Sequence, residues 1–204
     1  MKRIIAHWSA GTYNVGRLEK EHYHRIVDGS GKVHEGDHPI SDNESTGDGI
    51  YAAHTRACNT GSIGVSVACM AEAKENFRHG TYPMLEVQFE SLCEEMARLC
   101  QVYNIAVSSL TTLTHAEVQP NLGIAQSGKW DFTELSFDKT LKGAKQCGDY
   151  MRKRINHYLG SKPNTLVEDT QTFLNDTGAK PMLKVDGDFG PKSELAWNSH
   201  RSKI

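Results

Sequence analysis

Apolar residues follow two patterns along this chain: short continuous runs, which predict strands, and repeats every three to four residues, which predict helices. Short continuous apolar runs predict buried strands at Arg3–Trp8, 64–70 and 110–114. Residues 82–102 instead carry apolar side chains at helical spacing, which predicts an amphipathic helix with Pro83 in its first turn. Strands interleaved with helices predict an α/β layered fold, in which a mixed central β-sheet is flanked by helices.

Shorter and more polar segments fill the intervals between these elements. A short polar helix is predicted at 15–22, and strands at 24–27 and 32–35 are predicted to pair across a Gly-Ser-Gly turn. Residues 36–49 are mostly polar and predict a long loop of the kind that shapes binding sites. A basic amphipathic helix is predicted at 141–158, where it would close the domain.

The C-terminal part of the chain predicts a separate small module. Residues 159–163 contain glycine, serine and proline and predict a linker. We therefore expect a main domain at 1–158 and a helical module at 164–204. Within the module, a helix is predicted at 167–177, and Pro191 is predicted to begin a second helix after a tight Asp-Gly turn.

Composition narrows the function classes without selecting one. A chain of 204 residues can hold one medium domain and a small appendage. Its formal net charge of -2 gives no reason to expect nucleic acid or an anionic membrane as partner, and the oligomeric state is left open.

No apolar run approaches the ~20 residues of a membrane span, and the N-terminus is too short for a signal peptide, so we expect a protein that is cytoplasmic as synthesised. The five cysteines are odd in number and form no CxxC pair, so a disulfide framework is not expected.

Two histidines and an aspartate are the candidate chemical groups. His7 ends the first predicted strand, His115 follows a later strand, and Asp131 lies in the loop just beyond. Ligands at the ends of neighbouring strands and in a loop beside them make a rigid metal site. Two imidazoles with one carboxylate suit a catalytic zinc that keeps its fourth position open. Cys58 or Cys69 is an alternative third ligand, although neither follows the His115 strand.

Five short motifs surround these residues. In chain order they are His7-Trp8-Ser9-Ala10, Tyr23-His24 with its glycine turn, His54 followed by Asn59 and Ser62-Ile63-Gly64-Val65, Thr114-His115-Ala116-Glu117-Val118, and Lys129-Trp130-Asp131. This set resembles the zinc-dependent N-acetylmuramoyl-L-alanine amidases, the family shared by amidase-type phage lysozymes and peptidoglycan recognition proteins. The likeness covers roughly residues 1–140, with the motifs in family order.

The resemblance implies a cofactor, a reaction and a partner. One zinc ion per chain would be held by His7, His115 and Asp131. The substrate would be peptidoglycan, cleaved at the amide bond between N-acetylmuramic acid and L-alanine. The gap between His115 and Lys129 is longer than the short loop of the family. Glu117, close to the second ligand, either orients His115 or faces solvent.

The resemblance also implies roles for the polar neighbours of the metal. Tyr23 and Lys129 are expected to be catalytic, stabilising the oxyanion that develops on the amide carbonyl. His24, His54 and Asn59 are expected to bind substrate as parts of the pocket wall.

Two features favour one branch of the family over another. Ser66 occupies the position where the cytoplasmic muropeptide-recycling amidases carry a catalytic glutamate. Residues 164–204 resemble a small helical peptidoglycan-binding module, whose Val-Asp-Gly-x-Phe-Gly-Pro signature is matched at 185–191. Both features favour a phage endolysin that reaches the wall after release by a holin. The alternatives are a recycling amidase, a non-catalytic peptidoglycan-binding protein and an interaction protein with a structural zinc.

Overall fold

The computed structural model describes residues 1–161, 165–185 and 191–201 of the chain. The chain divides into two compact units, Met1–Asn156 and His157–Ile204. All of the candidate site residues lie in the first unit. Within the described ranges, every helix is too short or too polar to cross a membrane.

The first unit is built on a mixed five-stranded sheet. In chain order, its strands are β1 (Arg3–Trp8), β2 (Arg25–Val27), β3 (Val33–Glu35), β4 (Ser62–Val67) and β5 (Thr112–Thr114). They lie in the order β3-β2-β4-β1-β5; β2 and β3 are antiparallel, and the other neighbours are parallel. The predicted α/β class, with a mixed central sheet flanked by helices, is therefore confirmed.

The described residues form six α-helices, which follow the predicted pattern in part. They are α1 (Arg17–His22), α2 (Glu86–Val102), α3 (His115–Leu122), α4 (Gly143–Ser161), α5 (Thr165–Asp176) and α6 (Pro191–Arg201), with a short 3-10 helix at Ile40–Glu44 inside the predicted loop. The prediction that Pro83 lies in the first turn of α2 is wrong. The backbone of Leu85 is extended, and Gln88 accepts a hydrogen bond from the Leu85 N–H at 3.1 Å, so the helix begins only at Glu86.

The central strands are buried on both faces, as parallel strands covered by helices usually are. Ile4 and Ile5 on β1 are fully buried, and every residue of β4 is buried. α2 contacts β4 and β1, and its side chains Phe89, Leu92 and Met96 are fully buried. Burial of each such side chain contributes about 1.5–3 kcal/mol, so this core holds the strand ends that carry the site in place.

The apolar pattern predicts neither α3 nor a hairpin formed by β6 (Glu134–Leu135) and β7 (Asp138–Lys142). α3 follows β5 without a connecting residue, because Thr114 is its N-cap and His115 its first residue. Pro120 lies inside this short helix, and a proline within so few residues predicts a break rather than a helix.

The second unit holds α5 and α6, as predicted, and α6 begins at Pro191. A small apolar cluster joins them, formed by Leu174, Ala179, Leu183 and Ala196. The turn at 186–190 lies outside the described residues. α4 continues through Ser161, so the first three residues of the predicted linker at 159–163 are helical.

Candidate metal centre

His7 and His115 lie side by side at one edge of the sheet. β1 and β5 pair in parallel with Ala6 opposite Thr114, so the residues that follow, His7 and His115, become neighbours. Both rings are buried, and their Nδ1 atoms are 3.0 Å apart. The parallel pairing of two strands therefore brings together two histidines that are distant in sequence.

Asp131 reaches the two histidines from a loop that is anchored on both sides. Its carbonyl accepts a hydrogen bond from the Ala116 N–H at 3.4 Å, at the start of α3. The next residue, Phe132, is fully buried and stacks on Trp8 with ring centroids 5.6 Å apart. Asp131 Oδ2 lies 3.5 Å and 3.3 Å from the Nδ1 atoms of the two histidines. α3 fills the long gap between β5 and this loop.

These three atoms, His7 Nδ1, His115 Nδ1 and Asp131 Oδ2, form a group that we call the metal-ligand set. They bound a triangle with edges of 3.0, 3.3 and 3.5 Å. Ligand atoms about 2.0–2.2 Å from a tetrahedral zinc lie about 3.3–3.6 Å apart, close to these edges. All three atoms can offer electron pairs, so their convergence favours a cation between them. The buried group could thus hold a metal ion and leave a position for water or substrate.

The site favours the protonation states that a metal ion requires. Burial and the neighbouring His115 lower the pKa of His7 from 6.5 to about 4, so its ring is neutral at pH 7. Burial alone would raise the pKa of Asp131, but the adjacent imidazoles of His115 and His7 outweigh it and lower this pKa below its ordinary value. A neutral imidazole and an ionised carboxylate therefore face each other at neutral pH.

Each histidine has an outer nitrogen, Nε2, which is the ring nitrogen outside the metal-ligand set. The outer nitrogen of His7 contacts the loop that carries His54 and Thr55. His7 Nε2 lies 3.2 Å from His54 Nδ1 and 3.3 Å from Thr55 Oγ1. Asn59 holds this loop, because its Oδ1 accepts hydrogen bonds from the backbone N–H groups of His54 at 3.1 Å and Thr55 at 2.8 Å. The His54 ring packs on Gly64, where a Cβ would lie 2.5 Å from His54 Cγ. Glycine is therefore needed at position 64.

Gln126 holds the outer nitrogen of His115, a contact that the sequence analysis missed. Its side chain is buried, and its Oε1 lies 3.0 Å from His115 Nε2. Glu117, the candidate for this role in the sequence, instead pairs with Arg152 at 2.8 Å and accepts a hydrogen bond from the Thr114 N–H at 3.0 Å. Gln126 gives no sequence signal, because it stands alone in a polar loop and belongs to none of the five motifs.

A cavity of about 250 Å³ opens onto His115 and Asp131 of the metal-ligand set, whereas His7 lies behind its wall residues. Its wall includes most of the predicted site residues, namely Tyr23, His54, His115, Lys129 and Asp131. The ring of Tyr23 lies 5.2 Å from that of His7, centroid to centroid. Burial and the charge of Asp131 raise the pKa of Tyr23, so its hydroxyl stays protonated at neutral pH. The exposed Lys129 brings a positive charge to the same cavity.

Two predicted substrate-binding residues have other surroundings. His24 is fully buried, and its Nδ1 accepts a hydrogen bond from the Gly64 N–H at 2.9 Å. Asn59 holds the backbone of the neighbouring loop, as described above. Neither residue is among the described residues that line the cavity. Contact of His24 and Asn59 with substrate stays a prediction, and their positions give it no support. His54, in contrast, lies in the cavity wall.

The alternative ligands Cys58 and Cys69 do not join the metal-ligand set. All five cysteines are buried and free, and Cys58 Sγ accepts a hydrogen bond from Arg3 at 3.2 Å. In the part of the chain that the structure describes, only the two histidines and the aspartate form such a group. Ser66 lies beside His7 in the β1–β4 register, so a hydroxyl and not a carboxylate stands next to that ligand.

The buried set of two imidazoles and one carboxylate, open to a cavity, is the main chemical feature of the chain. No protein-family model and no curated protein matches the chain. Its function is therefore inferred from these residues and from the motifs that contain them.

Proposed function

We propose that the chain is a zinc-dependent N-acetylmuramoyl-L-alanine amidase, which hydrolyses the amide bond between N-acetylmuramic acid and L-alanine in peptidoglycan. The observation that carries this proposal is the buried set of His7, His115 and Asp131 beside a cavity. Two imidazoles and one carboxylate are a ligand set of catalytic zinc hydrolases. The same residues stand in the motifs that resemble this family, which supports one zinc ion per chain over other metals.

The residues around the cavity suit amide hydrolysis. A bound zinc ion supplies a Lewis acid for the amide carbonyl and lowers the pKa of water. The protonated Tyr23 hydroxyl can donate a hydrogen bond to the oxygen that becomes negative as the carbonyl is attacked. Lys129 places a cation near the same charge. A hydrogen-bond donor that is already in position for the oxyanion typically raises the rate of the chemical step by about 10²–10³-fold.

We further propose that this amidase acts as a phage endolysin in host lysis. Ser66, beside His7, replaces the glutamate that the recycling amidases carry, which argues against that branch. Family members without catalysis lack the third ligand, whereas Asp131 lies within 3.5 Å of both histidines. The second unit, with α6 beginning at Pro191, supports a wall-binding module. Such a module would serve an enzyme whose substrate is insoluble.

Purified sacculi provide the test of this activity. Incubation with the protein should release new L-alanine amino termini without new reducing sugar ends. A strong chelator should abolish this release, and added zinc should restore it. His115→Ala should lose both bound zinc and activity, whereas His200→Ala, a control in the second unit, should keep both. New reducing ends without new L-alanine amino termini would show that a different bond is cut and would contradict the proposal.

A further inference from the structure

We propose that Gln126 is a positioning residue of the metal centre, which sets the tautomer of His115 and connects the loops behind both histidine ligands. This inference rests on the metal site of the proposed function and is independent of the bond that is cleaved.

The partners of Gln126 define which end of its amide faces His115. Gln126 Nε2 lies 2.9 Å from the carbonyl oxygen of Arg56 and 3.3 Å from that of Ile124. Carbonyl oxygens only accept hydrogen bonds, so the NH₂ group of Gln126 must lie at this end and donate to them. The amide oxygen, Oε1, therefore faces His115 at 3.0 Å from its Nε2.

This orientation determines which nitrogen of His115 carries the proton. An amide oxygen cannot donate, so His115 donates from Nε2–H to Gln126. In a neutral imidazole the other nitrogen then holds the free electron pair. That nitrogen, Nδ1, is the one that lies 3.0 Å from His7 Nδ1 and 3.3 Å from Asp131 Oδ2. Gln126 thus turns the electron pair of His115 towards the metal-ligand set, as outer hydrogen bonds commonly do for metal-binding histidines.

Gln126 also connects the two sides of the site. Arg56, whose carbonyl accepts its hydrogen bond, belongs to the loop at 54–56 that contacts the outer nitrogen of His7. The backbone N–H of Gln126 donates to the Gln119 side chain on α3 at 2.9 Å. One buried side chain therefore bonds to one ligand and to the loop behind the other. Loss of this side chain should weaken metal binding through both histidines.

Two substitutions separate this role from simple anchoring of the loop. Gln126→Glu keeps an oxygen that accepts from His115 but removes both donors to backbone carbonyls. Gln126→Leu removes the acceptor and the donors. If the acceptor sets the tautomer, Gln126→Leu should bind zinc about 10- to 100-fold more weakly than wild type, and Gln126→Glu should retain most of the affinity. Zinc binding by Gln126→Glu that is no tighter than by Gln126→Leu would overturn the inference.

Gln88→Leu is a matched control for these measurements. Gln88 is also a buried glutamine, and its partners are the Ala68 carbonyl and the Leu85 N–H, neither of which belongs to a ligand. Its loss should lower stability and leave the zinc affinity of the folded protein unchanged. The full-length variants would be compared by competition with a chromogenic chelator, at a temperature where circular dichroism shows each of them folded.

Nitrogen-15 NMR of the metal-free protein measures the tautomer directly. In wild type, the His115 ring should carry its proton on Nε2 and its free electron pair on Nδ1. A proton on Nδ1 overturns the inference, even in a protein that binds zinc. Failure of wild type to bind zinc would instead contradict the proposed function, while this spectrum still decides whether Gln126 sets the tautomer of His115.

Discussion

His7 and His115 offer the same atom to the metal-ligand set but are held by different kinds of neighbour. The outer nitrogen of His7 lies among His54 and Thr55, on a loop that Asn59 holds in place. The outer nitrogen of His115 has a single amide partner, Gln126. Substitutions of these neighbours can therefore act on the metal site through the histidines without removing a ligand atom.

The two cavity residues that do not bind the metal should affect rate and leave zinc content unchanged. Tyr23→Phe removes a hydroxyl donor and Lys129→Ala removes a cation, so each should lower kcat by about 10²-fold or more. Zinc content by atomic absorption should equal that of wild type. Tyr103→Phe and Lys153→Ala are controls outside the cavity wall and should leave kcat unchanged. Zinc loss in Lys129→Ala would show that the loop carrying Asp131 depends on this side chain for its position.

Buried neutral histidines should make the metal-free protein sensitive to acid. Burial lowers the pKa of His7 and of His24 from 6.5 to about 4, and that of His54 also falls well below 6.5. The unfolded chain takes up protons below pH 6.5, whereas folded His7 and His24 do so only near pH 4 and folded His54 only well below pH 6.5. Their contribution to stability is therefore complete above pH 6.5 and is lost as the pH falls towards 4.

Urea denaturation between pH 7.5 and 4 measures this effect. The free energy of unfolding should fall continuously below pH 6.5 in the chelator-treated protein. His24→Gln, which removes one titrating group away from the metal, should flatten this dependence. A free energy of unfolding that stays constant from pH 6.5 to 4.5 would contradict the assignment of neutral buried histidines.

At the level of elements, the strongly patterned segments could be predicted and the weakly patterned ones could not. β1 has its predicted bounds, Arg3–Trp8, because its apolar run is continuous and buried on both faces. The same run places His7 at the strand end. The apolar pattern does not predict α3, which is short and contains Pro120, nor the hairpin after Asp131, whose strands are short and mostly polar. Gln126 was missed for a different reason: its role depends on tertiary contacts with His115 and Arg56 that no local pattern records.

β4 contributes to the site through a glycine. In Gly64→Ala, the new Cβ would lie 2.5 Å from His54 Cγ, so the ring must move away from His7. We expect the free energy of unfolding to fall by about 1–3 kcal/mol, as for other overpacked cores, and zinc affinity to fall with it. Urea denaturation and chelator competition measure the two effects. Gly160→Ala, where no atom lies within 4 Å of the new Cβ, is the control. Wild-type stability and affinity in Gly64→Ala would show that His54 does not support the site.

At the scale of the whole molecule, the chain divides into two compact units, Met1–Asn156 and His157–Ile204, while the main domain at 1–158 and the module at 164–204 stay predictions. The boundary follows Asn156, inside α4, whereas the sequence predicts a linker at 159–163. The helix pattern of 141–158 predicted the existence of α4 but not its end. The first unit contains the whole metal-ligand set and the described cavity wall. Catalysis should therefore depend on the first unit.

A chain that ends at Ser161 keeps α4 whole and removes α5 and α6. If the removed segment binds the wall, this chain should cleave a small soluble muropeptide at close to the full-length rate. It should cleave intact sacculi more slowly and co-sediment with them less, because the local concentration at the wall is lost. Rates on both substrates, with the Tm of each chain, decide the question. An equal loss on both substrates together with a lower Tm would show that the segment stabilises the fold and does not bind the wall.

The central claim is that one metal ion is held by Nδ1 of His7, Nδ1 of His115 and a carboxylate oxygen of Asp131. Anomalous diffraction at the zinc edge, from crystals of the zinc-loaded protein, tests this claim most directly. The account predicts one strong peak per chain, about 2.0–2.2 Å from each of these three atoms. A zinc peak that lies next to other atoms would contradict the claim. So would the absence of a peak in crystals where the three side chains are well ordered.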